Sequence, residues 1–241
     1  MIPLVLWQLR WRIAVVVLIA CAFYVIEPTL HVHAAEDAAQ AIPPGEIAFS
    51  MANLAGASML VLLAGFISTD RRRGYYRLYF AHPTRPLGYY ALRWAMAYLL
   101  TLAVAAGFFV FAQLAAWGEL RAGPSALVQP ALFALIYGGL VAFASIAFRW
   151  GDSLIVLAVY ALSDLWIGFL NFFNEAGLEA PLPPLARQVV SFVLPPHLAL
   201  RDVYEAVRVG ASAWGDVAFA GGYGLVWLAA AALLLWLREW P

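Results

Sequence analysis

The chain has 241 residues, 65% hydrophobic and only 12% charged, with fourteen basic and fourteen acidic side chains in balance. A soluble domain is about half apolar and roughly a quarter charged, so this composition excludes an ordinary water-soluble globule, and the balanced charge argues against a nucleic-acid partner. One cysteine, Cys21, excludes an intrachain disulfide framework, and all fourteen basic residues are arginine, so the lysine of a Walker A phosphate loop is missing.

A membrane-crossing helix needs about 20 mostly apolar residues. Six stretches are predicted to span: Ile13–Ile26, with an extension backward through Leu4–Trp11, then Ile47–Ser68, Trp94–Trp117, Ala126–Phe148, Ser153–Phe173 and Val217–Leu237. Residues 1–12 carry Trp7, Arg10, Trp11 and Arg12, a composition suited to an interfacial segment at the headgroups. Val32-His33-Ala34 resembles a leader cleavage site, but the stretch from Glu27 is long for one, and the first apolar run is read as a span.

Arginine placement orients the bundle. With both termini inside, Arg10, Arg12, Arg71, Arg72, Arg73, Arg77, Arg85, Arg93, Arg149 and Arg238 are cytoplasmic, and Arg121, Arg187, Arg201 and Arg208 are outside. Ten against four follows the positive-inside rule. Residues 27–46 form an outer loop, 118–125 and 149–152 are tight turns, and 174–216 are a long outer region. Within it, Pro183–Leu194 and His197–Val209 have helical periods hinged at Pro195-Pro196, the pattern of two short helices dipping into the outer leaflet. The expectation is an all-α integral membrane protein of one domain.

The densest polar insertion is GFISTDRRRGYYRLYFAHPTRPLGYYALRW, residues 65–94. Its cytoplasmic part, 69–93, opens on Asp70. Gly74 then allows a bend, and Tyr75, Leu78, Tyr79 and His82 share one face of a short helix that Pro83 and Pro86 stop. Tyr89, Tyr90, Arg93 and Trp94 read as anchors for the next span. The insertion is either a positive-inside anchor with aromatic belt residues or a docking helix for a soluble partner.

The order Asp70-x-x-x-Gly74, short helix, Pro83-x-Arg85, then Arg93 at the start of a span resembles the second cytoplasmic region of ABC-2 type transporter permeases. Leu194-Pro195-Pro196 is similar to the proline-containing outer segment of that family. Tyr75 stands in place of the usual threonine, Arg85 comes one position early, and arginine replaces the usual lysine at 93. The resemblance implies six spans with a coupling helix between the second and third, and a second permease subunit, identical or not. It also implies two copies of a separate ATP-binding cassette subunit that carries the ATP and magnesium, in a bacterial or archaeal cytoplasmic membrane. The docking surface it implies comprises Arg72, Arg73, Tyr75, Tyr76, Arg77, Tyr79, Phe80 and His82. An exported amphipathic or hydrophobic cargo is the matching expectation, with no cofactor in this chain.

Asp164 lies near the middle of the fifth predicted span, where an ionisable group is expensive. It is either a polar point on a translocation path or one end of an interhelical hydrogen bond to a serine, tyrosine or tryptophan. His31, His33, Glu36 and Asp37 are too few and too loosely spaced for a metal site, so no metal is expected. His82 and His197 are isolated in sequence. Gly107, Gly138, Gly139, Gly221 and Gly222 are expected to permit close helix packing. Two readings from other classes remain: an intramembrane enzyme acting on lipid through Asp164, and a scaffold whose arginine-rich loop recruits a cytoplasmic protein.

Overall fold

A computed structural model of the chain describes residues 2–26, 44–74, 85–121, 123–148, 150–176 and 182–238. Among them are nine α-helices and no strand: α1 (Ile2–Ile26), α2 (Pro44–Leu62), α3 (Ser68–Arg73), α4 (Pro86–Trp117), α5 (Val128–Ala147), α6 (Asp152–Glu175), α7 (Pro184–Val193), α8 (His197–Val209) and α9 (Trp214–Leu237). Five helices, α1, α4, α5, α6 and α9, contain stretches long and apolar enough to cross a membrane.

The helix α5 is the centre of the bundle. Its spanning stretch is 78% buried, whereas that of α6 is only 11% buried. Around α5 pack α9, α2, α6 and α4, with α1 closing against α2 and α4. The closest approach is between α5 and α9. A Cβ built on Gly139 would lie 2.8 Å from the Gly224 carbonyl oxygen, and one on Gly224 would lie 3.1 Å from the Ile136 amide. Small residues let backbones touch where apolar burial gives helices in lipid no drive to associate. The expectation for Gly138 and Gly139 therefore holds: Gly139 meets Gly224 of α9, and Gly138 leaves room for Met59 of α2 and Trp94 of α4. Gly107 and Gly222 instead face open space.

Of two predicted boundaries, one is met in its longer form and one is corrected. First, the span takes its longer form, with the backward extension through Leu4–Trp11: α1 runs unbroken from Ile2, with Val5 and Leu9 buried. Second, the stretch Ile47–Ser68 is not one helix. The helix α2 stops at Leu62, the chain turns through residues 63–67, and α3 begins at Ser68. Gly65 makes the break feasible with φ +63°, a conformation side chains rarely adopt.

A helix break among apolar helices leaves backbone amides that need partners. Here Gly65 N–H donates to Asp152 Oδ1 (3.3 Å), and the amides of Ile67 and Ser68 both donate to Ser145 Oγ (2.7 and 2.9 Å). Two side chains from α5 and α6 thus stabilise a turn that apolar composition alone does not reveal.

The helix α4 has 32 residues, about 48 Å at 1.5 Å per residue, well over the roughly 30 Å of a hydrocarbon core. It starts at Pro86, eight residues before the predicted span. Tyr89, Tyr90 and Arg93, expected as anchors at the membrane surface, are buried inside its first turns. Tyr89 donates its hydroxyl to Gln8 of α1 at 2.9 Å, Phe66 meets the Tyr90 ring edge-on, and the polar cluster described next holds Arg93.

Candidate functional site

Two polar centres stand out in this apolar bundle. The first lies where α2 breaks. Arg93 Nη1 is 3.0 Å from Asp70 Oδ2, and the two side chains are 6% and 7% exposed. Tyr90 donates its hydroxyl to the same carboxylate oxygen at 3.3 Å. Arg93 also donates to the Phe66 carbonyl (3.0 Å), so one guanidinium ties α4 to both the turn and α3. Burial pushes the Asp70 carboxyl above the ordinary carboxylate range, and the Arg93 charge opposes that rise.

Further arginines gather at this end. Arg12 donates to the Leu62 carbonyl at 2.7 Å, the last residue of α2. Arg71 donates to the Ile146 carbonyl at 2.9 Å, and Arg238 reaches the same oxygen. Helix C-termini end in carbonyls without intrahelical donors and carry the negative pole of the helix dipole. Arginines predicted from orientation alone as cytoplasmic anchors thus cap helix ends. Asp152, at the start of α6, accepts from Ser68 Oγ (3.0 Å) and from its neighbour's amide, Ser153 N (2.8 Å).

Of the predicted docking residues, Arg72 and Arg73 are exposed on α3, and Arg72 sits over the Trp150 ring at 4.2 Å. Gly74 ends α3 with φ +69°, and Arg85 is exposed just before α4. Tyr75, Tyr76, Arg77, Tyr79, Phe80, His82 and Pro83 lie outside the described residues, as do Arg149 and the His31–Asp37 stretch. Among the described residues no cluster of three or more His, Cys, Asp or Glu side chains could hold a metal.

The second centre lies midway along α5 and α6. Asp164 Oδ1 is 3.0 Å from His197 Nδ1, and His197 Nε2 hydrogen-bonds the Tyr137 hydroxyl. An ionised carboxylate only accepts hydrogen bonds. With Asp164 ionised, Nδ1–H donates to it and Nε2 accepts from Tyr137 O–H. Phe133 stacks on the imidazole with centroids 5.5 Å apart, and Tyr160 meets it edge-on at 5.3 Å. Tyr160 in turn donates to Asn53 Oδ1 of α2 at 3.0 Å. Burial among these rings holds the His197 pKa below its usual value, and Asp164 opposes that shift.

The hinge at Pro195-Pro196 makes this possible. Both prolines are buried, and α8 starts directly after them, so its first residue reaches the middle of α5. The expected hydrogen bond from Asp164 exists, but its partner is His197, a residue 33 positions away that sequence reading leaves isolated. Tyr137 carried no sequence signal beyond being a polar ring inside a span. The line Asp164–His197–Tyr137 has the order of an acid–base relay, yet Tyr137 is 0% exposed. Its hydroxyl is sealed from any substrate, so the arrangement orients the half-exposed carboxylate and does not present a nucleophile.

Comparison with known proteins finds no matching family model, no matching curated protein and no matching solved structure.

Proposed function

We propose that this chain is the membrane-spanning permease subunit of an ATP-driven transporter of the ABC-2 type. In this reading it pairs with a second permease subunit, identical or not, in a bacterial or archaeal cytoplasmic membrane. Two copies of a separate subunit bind ATP and magnesium, since this chain lacks a Walker A lysine. The cargo is amphipathic or hydrophobic and moves outward.

The observation that supports the reading best is the buried Asp70–Arg93 pair. Residues 75–84 lie between α3 and α4 in the chain, and that pair locks the two helices together. A loop that merely anchors a bundle needs no such tie. A loop that receives a push needs a stiff connection, and this one leads through the turn at 63–67 into α2 and, by Ser145 and Asp152, into α5 and α6. The docking surface is Arg72, Arg73, Tyr75, Tyr76, Arg77, Tyr79, Phe80 and His82, whose rings fill a groove and whose cations meet acids on the ATPase. The enzyme alternative fits less well, because the relay behind Asp164 ends in a sealed hydroxyl.

The test is a gentle-detergent pull-down of the chain from its native membrane, followed by mass spectrometry. A stoichiometric nucleotide-binding companion, lost on Arg77→Ala with Tyr79→Ala, is the expected result. A preparation in which no nucleotide-binding protein accompanies the chain would count against the reading.

A further inference from the structure

The amphipathic helix α7 lies along α6, the least buried of the five spanning helices. Trp166 of α6 donates its indole N–H to Ser191 Oγ at 3.0 Å, and six residues further on His197 meets Asp164. The two helices therefore run antiparallel, with Leu194 at the deep end of α7 and Pro184 toward the Phe173 end of α6. Between them runs a groove of about 610 Å³, lined by Leu162, Leu165, Trp166, Phe169, Val190 and Val193 among others, all of them apolar. From Leu162 to Phe169 it follows α6 for about 10 Å, against roughly 15 Å of hydrocarbon in one leaflet. Its walls open outward, since Leu165 and Val193 are 70% and 60% exposed. On a helix that spans a membrane, that exposure is to acyl chains.

Arg187 stands at the shallow end of this groove. Arg187, Val190, Ser191 and Leu194 recur at i, i+3, i+4 and i+7, so they share the strip of α7 turned to α6. Val190 and Leu194 line the groove and Ser191 bonds α6, which places Arg187 one turn beyond the lining, on the side of the membrane surface. It is about 6 Å from Ser191 along the helix axis, and the span of α6 ends at Phe173, about 10 Å beyond Trp166. Arg187 Nε is buried without an acceptor, and among the described residues the ion pairs are Arg93–Asp70, Arg121–Glu119 and His197–Asp164. The other buried or half-buried arginines described, Arg12, Arg71, Arg93 and Arg238, all donate to backbone carbonyls. A buried donor on a cation is costly unless it finds an acceptor.

We propose that α6 and α7 hold one anionic phospholipid, its phosphate on the Arg187 guanidinium and an acyl chain in the groove below. The guanidinium fork matches two phosphate oxygens, and the phosphate supplies the counter-charge that this chain's described residues do not. The headgroup stays outside the apolar groove, at the level where a leaflet carries its phosphates, and only the tail enters. A zwitterionic headgroup brings its own cation beside the phosphate and cancels part of the attraction. A net anionic one, of the phosphatidylglycerol type, is therefore preferred. The inference requires that α6 span a membrane and is independent of the permease reading.

The test is native mass spectrometry of the full chain purified in a neutral maltoside detergent, without any ATPase. The probes are dioleoyl phosphatidylglycerol, dioleoyl phosphatidylcholine and glycerol 3-phosphate. Wild type is expected to bind one phosphatidylglycerol saturably and at least tenfold more tightly than phosphatidylcholine. Arg187→Gln is expected to bind phosphatidylglycerol at least tenfold more weakly and phosphatidylcholine as before. Equal phosphatidylglycerol affinity in wild type and Arg187→Gln overturns the proposal. Glycerol 3-phosphate binding as tightly as the lipid also overturns it, because the groove would then contribute nothing. Should Arg187→Gln fail to fold, Val190→Trp fills the groove and keeps the charge. It is expected to weaken phosphatidylglycerol binding at least tenfold, and undiminished binding there overturns the proposal. So does a wild-type dimer that either variant dissociates with lipid affinity unchanged, because a second copy would then cover the groove. None of these results bears on whether an ATPase accompanies the chain, so the two readings fail separately.

Discussion

Asp70 and Arg93 are the residues on which the loop-bearing end depends. Removing one member of a buried pair strands the other charge, at a cost of about 3–5 kcal/mol. Asp70→Ala is expected to lose that much in an SDS-unfolding titration in mixed micelles. The double variant Asp70→Leu with Arg93→Met is expected to lose less than either single change, since no orphaned charge remains. A double variant as unstable as the sum of the singles would show that the two side chains act separately. His197 gives a pH signature. Its folded pKa lies below the ordinary value of about 6.5, so the fold binds the proton less readily than the unfolded chain. The stability this contributes is complete above roughly pH 6.5 and is lost as pH falls through the lower folded value. Thermal melts from pH 7.5 down to pH 5 are expected to fall for wild type, and His197→Gln is expected to lack that part of the fall. The Asp164 charge opposes the shift, so Asp164→Asn is expected to steepen it.

At the scale of elements, the crossing of α5 and α9 is the tightest contact and the easiest to break. Gly139→Ala would press a methyl against the Gly224 carbonyl, where backbone must move, and is expected to cost about 1–3 kcal/mol. Gly107→Ala on α4 meets open space and is expected to gain about 0.5–1 kcal/mol from helix propensity. Equal effects at the two positions would contradict the packing. Helix existence was legible in the sequence because hydrophobic length reports it directly, and α5, α6 and α9 begin and end within a few residues of expectation. The break after Leu62 was not. Leu-Val-Leu-Leu-Ala-Gly-Phe-Ile is apolar throughout, and what ends the helix is the supply of acceptors from Ser145 and Asp152, up to 87 positions away. The amphipathic pair α7 and α8 was legible from periodicity and the proline hinge. The docking of the α8 N-terminus onto Tyr137 was not, because a lone histidine carries no sign of its neighbours.

For the whole molecule, the two polar centres divide the labour. The Asp70–Arg93 end ties α3 to α4 beside a broken α2, and the Asp164–His197–Tyr137 centre links α5, α6 and α8 halfway along the bundle. The helices α2 and α5 run between them and pack on each other. In the proposed transporter the first centre receives the push of a separate ATPase. ATP hydrolysis by the purified complex in nanodiscs tests this most directly, comparing wild type with Arg77→Ala plus Tyr79→Ala. The double variant is expected to melt like wild type while hydrolysis falls at least tenfold and the ATPase dissociates. A complex that stays assembled and hydrolyses ATP at the wild-type rate would contradict the assignment of residues 75–82 as the point where force enters.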